Sequence, residues 1–123
     1  MHENEIAHIV VDACYKIHKK LGPGLLESVY EVVLACELEK CGLKVQRQVG
    51  VPFIWEGKKF DEGFRADLIV EDKVIIEIKS VETLSPVHAK QLLTYLRLSG
   101  RQLGILARFI HEASLLSGSR DKS

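Results

Sequence analysis

Apolar side chains recur every three or four residues through the N-terminal third of the chain, which is the spacing of one face of an α-helix. A first helix is predicted over residues 4–21, where basic residues close the last turn before the helix-breaking sequence GPG at 22–24. A second helix is predicted over residues 25–41 and ends at Gly42. The chain is therefore expected to begin with two amphipathic helices.

Beyond the second helix, apolar and polar residues alternate, which is typical of β-strands. The sequence EGK at 56–58 predicts a turn. Ser85 followed by Pro86 predicts the start of a third helix, which runs to about Ser99 and ends at Gly100. Strands are predicted over residues 43–55, 59–70, 74–81 and 102–110.

The order of these elements is helix, helix, three strands, helix, strand, which predicts the α/β class. The three consecutive strands are expected to form an antiparallel meander, and the third helix crosses over to place the last strand in the same sheet. The expected architecture is thus a mixed four-stranded sheet flanked by helices. Residues 1–116 are assigned to a single domain, and the polar residues 117–123 to a disordered tail.

The charge balance and the cysteine content narrow the classes of protein to consider. The 123 residues carry 17 basic and 17 acidic side chains, so the net charge gives no sign of strong, nonspecific nucleic-acid binding. Three cysteines without paired spacing indicate a reducing compartment rather than a disulfide framework or a zinc site. Because no secretory signal and no membrane-spanning apolar run is recognisable, a cytoplasmic protein with no membrane partner is expected.

The segment FRADLIVEDKVIIEIKS, residues 64–80, places charged residues in two adjoining strands. The register that keeps the apolar residues on their own face sets Asp67 opposite Glu77 and Arg65 opposite Lys79. Directly opposed side chains have Cβ atoms about 5 Å apart. The two carboxylates would therefore repel each other and raise each other's pKa unless a cation lies between them.

Two interpretations of this carboxylate pair remain open from the spacing alone. In the first, Asp67, Glu77 and the backbone carbonyl of Ile78 bind Mg²⁺ or Mn²⁺. Lys79 would then orient a water molecule or stabilise charge that develops on a phosphate. In the second, the two carboxylates pair with Arg65 and Lys79 in a solvated ladder of cross-strand ion pairs, each of which contributes little.

Polar residues on two helices fall where such a site would need them. Glu27 lies in the first turn of the second helix at the border of its apolar stripe, where stabilisation of the helix N-terminus would also explain it. His88, Gln91 and Tyr95 share one face of the third helix, which is also an ordinary amphipathic boundary. Arg65 belongs to a group of basic residues on the first two strands that could contact phosphate or remain solvated.

Four motifs, in chain order, resemble one protein family. GLLESVY at 24–30 resembles the G-x-x-E-x-x-Y signature of the GxxExxY protein family, which looks like a part of the PD-(D/E)XK nuclease superfamily. AD at 66–67 followed by EIK at 77–79 is similar to the D…(D/E)-x-K core of that superfamily. QLLTY at 91–95 resembles the Q-x-x-x-Y motif of its RecB-like branch. The resemblance covers about residues 5–107.

This resemblance implies a restriction-endonuclease-like core and metal-dependent hydrolysis of phosphodiester bonds in DNA or RNA, with Mg²⁺ or Mn²⁺ as the cofactor. It implies that Asp67 and Glu77 bind the metal and that Lys79 positions or activates the attacking water. Glu27 would match an additional acidic residue that many members place on the helix before the sheet, and would take part in catalysis. The expected substrate-binding residues are Gln91, Tyr95, His88 and Arg65.

Two functions from different classes stay open. The first is a nuclease, and the second is a catalytically silent module that binds nucleic acid or a protein on the same fold. The presence of Asp67, Glu77 and Lys79 favours the nuclease, because packing alone requires none of them. The balanced net charge favours the binding module, or action as a homodimer or within a larger complex.

Overall fold

Three helices and five strands make up the part of the chain that the computed structural model describes, residues 1–80, 83–109 and 113–119. The helices are α1 (Glu3–Leu21), α2 (Glu27–Lys40) and α3 (Pro86–Ser99). The strands are β1 (Val45–Trp55), β2 (Lys58–Val70), β3 (Val74–Lys79), β4 (Leu103–Phe109) and β5 (Ala113–Ser119). Within those residues, none of the helices combines the length and apolarity that crossing a membrane requires.

The ends of α1 and α3 are set by side chains that satisfy free backbone groups. The His2 imidazole accepts a hydrogen bond from the Asn4 amide at the start of α1. At the start of α3, the Ser85 hydroxyl accepts from the Val87 amide at 3.3 Å, and Gly100 closes this helix in the left-handed conformation. The predicted bounds of both helices therefore agree with the structure to within one residue.

The sheet has the strand order β1-β2-β3-β4-β5. The predicted meander and crossover are confirmed, because β1–β2 and β2–β3 pair antiparallel and α3 carries the chain over to β4, which lies parallel to β3. The prediction of four strands was wrong, because β5 pairs antiparallel with β4 at the edge. Strand β5 includes residues 117–119, which the sequence pattern places in a disordered tail. Residues 120–123, Val81 and Ile110 lie outside the described residues.

A tight turn sets how β2 pairs with β3. Glu71 and Asp72 both take left-handed backbone conformations, with φ of 53° and 56°, which match the right-handed twist of the strands that they join. The turn closes where the Lys73 amide donates to the Val70 carbonyl at 3.0 Å. Val70 consequently pairs with Val74, which is the register that the apolar pattern predicts.

The sheet separates two apolar layers. The larger layer lies between the sheet and helices α1 and α2, and the smaller one lies between the sheet and α3. Strands β2 and β3 contribute to the larger layer the buried side chains Leu68, Val70, Val74, Ile76 and Ile78. They contribute to the smaller layer Ala66, Ile69 and Ile75. Because β3 is covered on both faces, a charged side chain on it loses much of its solvation and needs a partner.

Tyr30 joins the start of α2 to the sheet. Its fully buried ring stacks on Phe109 of β4, with ring centroids 4.3 Å apart. Its hydroxyl donates to the Gly22 carbonyl at 2.6 Å and accepts from the Leu25 amide at 3.2 Å. One phenol therefore ties the loop between α1 and α2 to the core.

We expect Tyr30→Phe to lower the free energy of unfolding by about 1–2 kcal/mol, because two hydrogen bonds lose the phenolic oxygen while the ring stacking remains. Urea unfolding followed by circular dichroism measures the difference. Tyr15→Phe, at an exposed position of α1, is the matched control and should change the free energy of unfolding by less than about 0.5 kcal/mol. Equal stability of the two variants would contradict this role of Tyr30.

Candidate active site

Strand β2 parts from β3 partway along β3. Their pairing ends at Leu68 and Ile76, whereas β3 remains paired with β4 to its last residue. The predicted extension of the ladder was therefore wrong, since it would have paired Asp67 with Glu77 and Arg65 with Lys79. A gap opens instead between the two strands at the C-terminal end of β3, and polar groups occupy it.

Side chains along β2 alternate between the two faces of the sheet, and this alternation is shifted by one residue near Asp67. The shift turns the Asp67 side chain toward the gap. Ala66 and Ile69 both pack in the layer under α3, although residues three apart in a regular strand face opposite ways. Leu68, between them, packs in the opposite layer. Gln48 faces Asp67 across the β1–β2 ladder and takes the left-handed conformation, with φ of 51°. Irregularities of this kind re-aim side chains next to functional sites.

Asp67 is held by one backbone donor and one side-chain donor. Its Oδ2 accepts from the Ile78 amide at 2.7 Å, and its Oδ1 accepts from Gln48 Nε2 at 3.2 Å. The same Gln48 nitrogen donates to Glu31 at 2.6 Å, and Arg47 donates twice to the other Glu31 oxygen. The buried Glu31 carboxylate is thus paired on both oxygens, and the network fixes the orientation of Asp67.

Glu77 is a buried acid that lacks a full set of partners. The residue is 9% exposed, and its Oε1 has no hydrogen-bond partner among the described residues. Burial, followed by the charge of Asp67 and a hydrogen bond with it, raises the pKa of Glu77 to about 8, and Lys79 opposes this shift. Without a cation, Glu77 is therefore mostly protonated at neutral pH.

The ion-pair ladder is not formed in the part of the chain that the structure describes. No ion pair there within 4.0 Å joins Arg65 or Lys79 to either carboxylate. The Arg65 guanidinium donates instead to the Gln48 carbonyl at 2.7 Å. Of the two interpretations left open by the sequence, the geometry favours a carboxylate pair that can receive a cation.

A cavity of about 360 Å³ surrounds the carboxylate pair, between the sheet and α3. Its polar lining consists of Arg65, Asp67, Glu77, Lys79, His88, Gln91 and Tyr95. The Tyr95 ring stacks on Phe64 of β2, with centroids 3.7 Å apart. His88 Nδ1 accepts from the Ser85 amide at 3.2 Å, so one ring nitrogen is already engaged at the start of α3. The fold thus brings the predicted face of α3 to the predicted acids.

Glu27 is not among the residues that line this cavity. Its Oε2 accepts from the Ser80 amide at 2.7 Å, and the Ser80 hydroxyl donates to the Leu25 carbonyl at 3.2 Å. The carboxylate therefore holds the chain directly after Lys79. Its part in catalysis stays a prediction.

Three members of the network that holds Asp67 were missing from the predicted site. Glu31 shares the buried face of α2 with Ala35 and Leu38, and a charged residue at that helical spacing was the available signal. Arg47 and Gln48 gave no comparable signal, because the alternation of β1 does not reveal its irregularity at Gln48.

The residues around the gap fit a divalent cation with oxygen ligands. Two carboxylates converge there, and one Glu77 oxygen lacks a hydrogen-bond partner among the residues that the structure describes. The Ile78 carbonyl also faces the gap, because the N–H and C=O of one residue project to the same edge of a strand and this N–H is bonded to Asp67. No group of three His, Cys, Asp or Glu side chains in the described ranges could share a metal. Water or substrate oxygens would complete the coordination, as is usual for Mg²⁺.

Comparison with known protein families found a match. The sequence matches the model of the PD-(D/E)XK nuclease superfamily over residues 4–117. Among curated proteins, none matches the sequence.

Solved structures share the fold. The protein SSO0001 is similar with a TM-score of 0.57 and 23% identity over 98% of this chain, which spans 60% of the length of that protein. LHK-Exo, an alkaline exonuclease from Laribacter hongkongensis, is similar with a TM-score of 0.51 and 16% identity, over 88% of this chain and 76% of that one. Its complex with dAMP gives a TM-score of 0.51 and 15% identity, over 92% and 81% of the two chains. At these identities the likeness concerns the fold alone.

Without metal, we expect Glu77→Gln to stabilise the protein at high pH. The folded protein holds the Glu77 proton up to about pH 8, whereas the ordinary value is 4.5. The unfolded chain therefore releases the proton first, and the free energy of unfolding falls as the pH rises through that window. The glutamine amide has no proton to lose, so the variant should be more stable than the wild type by about 1–3 kcal/mol near pH 9.

Urea unfolding in EDTA, repeated between pH 4 and pH 9, measures this difference. The two proteins should have nearly equal stability at the acid end, where Glu77 is protonated in both states. Glu39→Gln, at an exposed position of α2, is the control and should follow the wild type. A Glu77→Gln protein that is less stable than the wild type near pH 9 would contradict the buried, protonated state of Glu77.

Proposed function

The chain belongs to the PD-(D/E)XK nuclease superfamily, and we propose that it is a metal-dependent nuclease that hydrolyses phosphodiester bonds of DNA or RNA. The observation that carries this proposal is the pair of converging acids, Asp67 and Glu77, in one cavity with Lys79. A carboxylate pair with a buried member, here Glu77, costs free energy unless a proton or a cation neutralises it. A binding surface has no need of such a pair.

Asp67, Glu77 and the Ile78 carbonyl would hold the cation, and Mg²⁺ or Mn²⁺ suits these hard oxygen ligands. When bound, the cation supplies Lewis acidity at a phosphate oxygen and makes a nearby water more acidic. The Gln48 and Ile78 donors would keep the Asp67 carboxylate in one orientation during binding. Glu77 must give up its proton to become a ligand, so binding should strengthen as the pH rises toward 8.

Lys79 follows Glu77 by two residues and lines the same cavity. Its ammonium group can orient the attacking water and stabilise the negative charge that develops on the phosphate oxygens. From α3, Gln91 and the Tyr95 hydroxyl can donate hydrogen bonds to the nucleic-acid backbone at the opposite wall. His88 and Arg65 would add positive charge or donors at the rim.

Nucleic acid as the substrate class is supported by a structural neighbour. LHK-Exo is an alkaline exonuclease, and one of its structures contains dAMP. Its likeness to this chain supports phosphodiester chemistry on a polynucleotide. Experiment must distinguish DNA from RNA as the substrate, and cleavage at strand ends from cleavage within a strand.

We also propose that the chain belongs to the GxxExxY branch of the superfamily, on the sequence GLLESVY at 24–30. In this motif Glu27 bonds the amide that follows the catalytic lysine, and Tyr30 ties down the preceding loop. Gly24 takes a φ of 95°, which a side chain would strain. The motif would therefore act as a clamp that sets α2 against the end of β3.

The alternative, a catalytically silent binding module, is favoured by one observation. The 17 basic and 17 acidic side chains cancel, so long-range attraction to a polyanion is weak. Measurements of metal binding and of nucleic-acid cleavage distinguish the nuclease from the binding module.

Mn²⁺ should raise the thermal stability of the wild type, because a metal that binds only the folded state stabilises it by mass action, by about 2.7 kcal/mol at a hundredfold excess over its Kd. Asp67→Asn and Glu77→Gln should each lose this shift, and the wild-type shift should be larger at pH 8 than at pH 6. Differential scanning fluorimetry with and without Mn²⁺ measures all three. An unchanged shift in both variants would place the metal elsewhere.

Lys79→Ala should lower the cleavage rate by at least about 10²-fold, because an electrostatic group beside the reacting phosphate is lost, while the thermal stability stays close to the wild type. The assay follows a labelled oligonucleotide with Mg²⁺, using single-stranded and duplex DNA and RNA. Lys20→Ala, at the exposed end of α1, is the matched control. Cleavage that persists at the wild-type rate in Lys79→Ala would remove Lys79 from the mechanism.

A further inference from the structure

The outer end of the β1–β2 hairpin carries large apolar side chains that face solvent. Residues 53–63, here called the aromatic arm, include Ile54, Trp55 and Phe60, which are 64%, 60% and 37% exposed. Such exposure costs free energy, and exposed apolar clusters on a soluble domain commonly mark contact surfaces. The arm therefore presents more apolar surface than a simple connecting hairpin needs.

The rings of the arm are organised rather than scattered. Phe53 stacks on Phe60, with centroids 5.1 Å apart and planes inclined by 10°. The Lys58 ammonium lies 5.3 Å from the centroid of the Phe60 ring. Lys58 in turn pairs with Trp55 across the turn, which places Trp55 next to this group, nearer the tip.

The aromatic arm is continuous with the catalytic cavity. The Phe53 ring lies so close over Gly63 that a Cβ at that position would collide with it. Gly63 and Phe64 line the catalytic cavity and also an adjoining cavity of about 280 Å³. Phe64 stacks on Tyr95 at the cavity wall. Aromatic side chains thus occur at intervals along the hairpin between the proposed catalytic centre and its tip.

The aromatic residues of the chain are concentrated along this line. The sequence contains four phenylalanines, three tyrosines and one tryptophan. Five of these eight rings lie between the cavity and the tip, namely Tyr95, Phe64, Phe53, Phe60 and Trp55. At about 3.4 Å per residue, β2 spans about 20 Å from Phe64 to Lys58, which is room for a few nucleotides.

The charge of the arm argues against recognition of a duplex backbone. Residues 53–63 carry two lysines and three acids, so phosphate attraction there is weak. Stacking on aromatic side chains does not need net charge and accepts any base, but it requires bases that are unpaired. The chemistry of the arm thus fits unpaired bases better than paired ones.

We propose that the aromatic arm binds unpaired bases of the polynucleotide whose phosphodiester bond lies in the cavity. The substrate class is then a single strand or a duplex with a single-stranded end. This inference rests on the proposed nuclease function, because it takes the cavity as the place of cleavage.

Trp55 reports on the arm directly, because it is the protein's single tryptophan. In the Glu77→Gln protein with EDTA, a single-stranded oligonucleotide of about 15 nucleotides should change the Trp55 fluorescence saturably. A blunt duplex of the same sequence should bind at least tenfold more weakly. Phe60→Ala should weaken single-strand binding by about 5- to 100-fold, whereas Tyr15→Ala, an exposed aromatic on α1, should leave it unchanged.

Cleavage assays separate failure of the arm from failure of the nuclease function. Trp55→Ala and Phe60→Ala should raise KM for an oligonucleotide and leave hydrolysis of bis(p-nitrophenyl) phosphate at the wild-type rate, because that substrate is too small to reach the arm. Circular dichroism confirms that each variant is folded. If oligonucleotides are cleaved but Trp55 does not respond and both variants keep the wild-type KM, the inference is overturned and the proposed function stands.

Two further results would also overturn the inference. Equal affinity for duplex and single strand would remove the role of unpaired bases. A change in Trp55 fluorescence with protein concentration alone, accompanied by dimer formation in sedimentation, would assign the arm to a second copy of the chain. Absence of both cleavage and hydrolysis of the small diester would count against the proposed function itself.

Discussion

Asp67 and Glu77 bring two carboxyl groups into the gap between β2 and β3, where the sheet and α3 keep water from solvating both of them fully. Burial and the charge of Asp67 raise the pKa of Glu77 to about 8, so Glu77 keeps its proton at neutral pH. Neighbouring groups shift the balance between the protonated and the charged form of Glu77. Lys79 favours the charged form of Glu77, and the Ile78 amide donates a hydrogen bond to Asp67. In the proposed nuclease, a proton and a divalent cation would therefore compete for Glu77.

The position of the pair depends on a local break in the regularity of the sheet. In an unbroken ladder, Asp67 would extend the alternation of β2 and could not bond the β3 backbone. The left-handed Gln48 opposite it costs on the order of 1 kcal/mol in backbone strain. That strain is offset by the hydrogen bonds of Gln48 to Glu31 and Asp67, of which the one to Glu31 is partly buried and therefore the stronger. The irregularity at Gln48 thus orients the Asp67 carboxylate toward β3.

Helix α2 supports the site without lining it. Glu31 anchors the network behind Asp67, Glu27 holds the chain after Lys79, and Tyr30 fixes the loop that leads into the helix. The contacts of Glu27 and Glu31 reach from one turn of α2 to the same end of the sheet. A helix that is apolar on one face and carries two acids at its start can therefore act as a rigid support for groups on β3, which is what orientation of catalytic side chains requires.

Local periodicity in the sequence was enough to predict the order from α1 to β4, the register of the turn between β2 and β3, and the shared face of His88, Gln91 and Tyr95. Periodicity works there because each residue's face depends on its near neighbours in the chain. The shift at Asp67 and the network through Glu31 and Gln48 depend on contacts between residues far apart in the chain, and no local pattern encodes them. Strand β5 escaped prediction for a related reason: it pairs through its backbone with β4, and backbone hydrogen bonds leave little trace in composition. The sequence alone therefore determined which chemical groups are available and on which elements they lie. The tertiary structure alone decided that Glu77 is buried beside Asp67, because burial is a property of the packed fold.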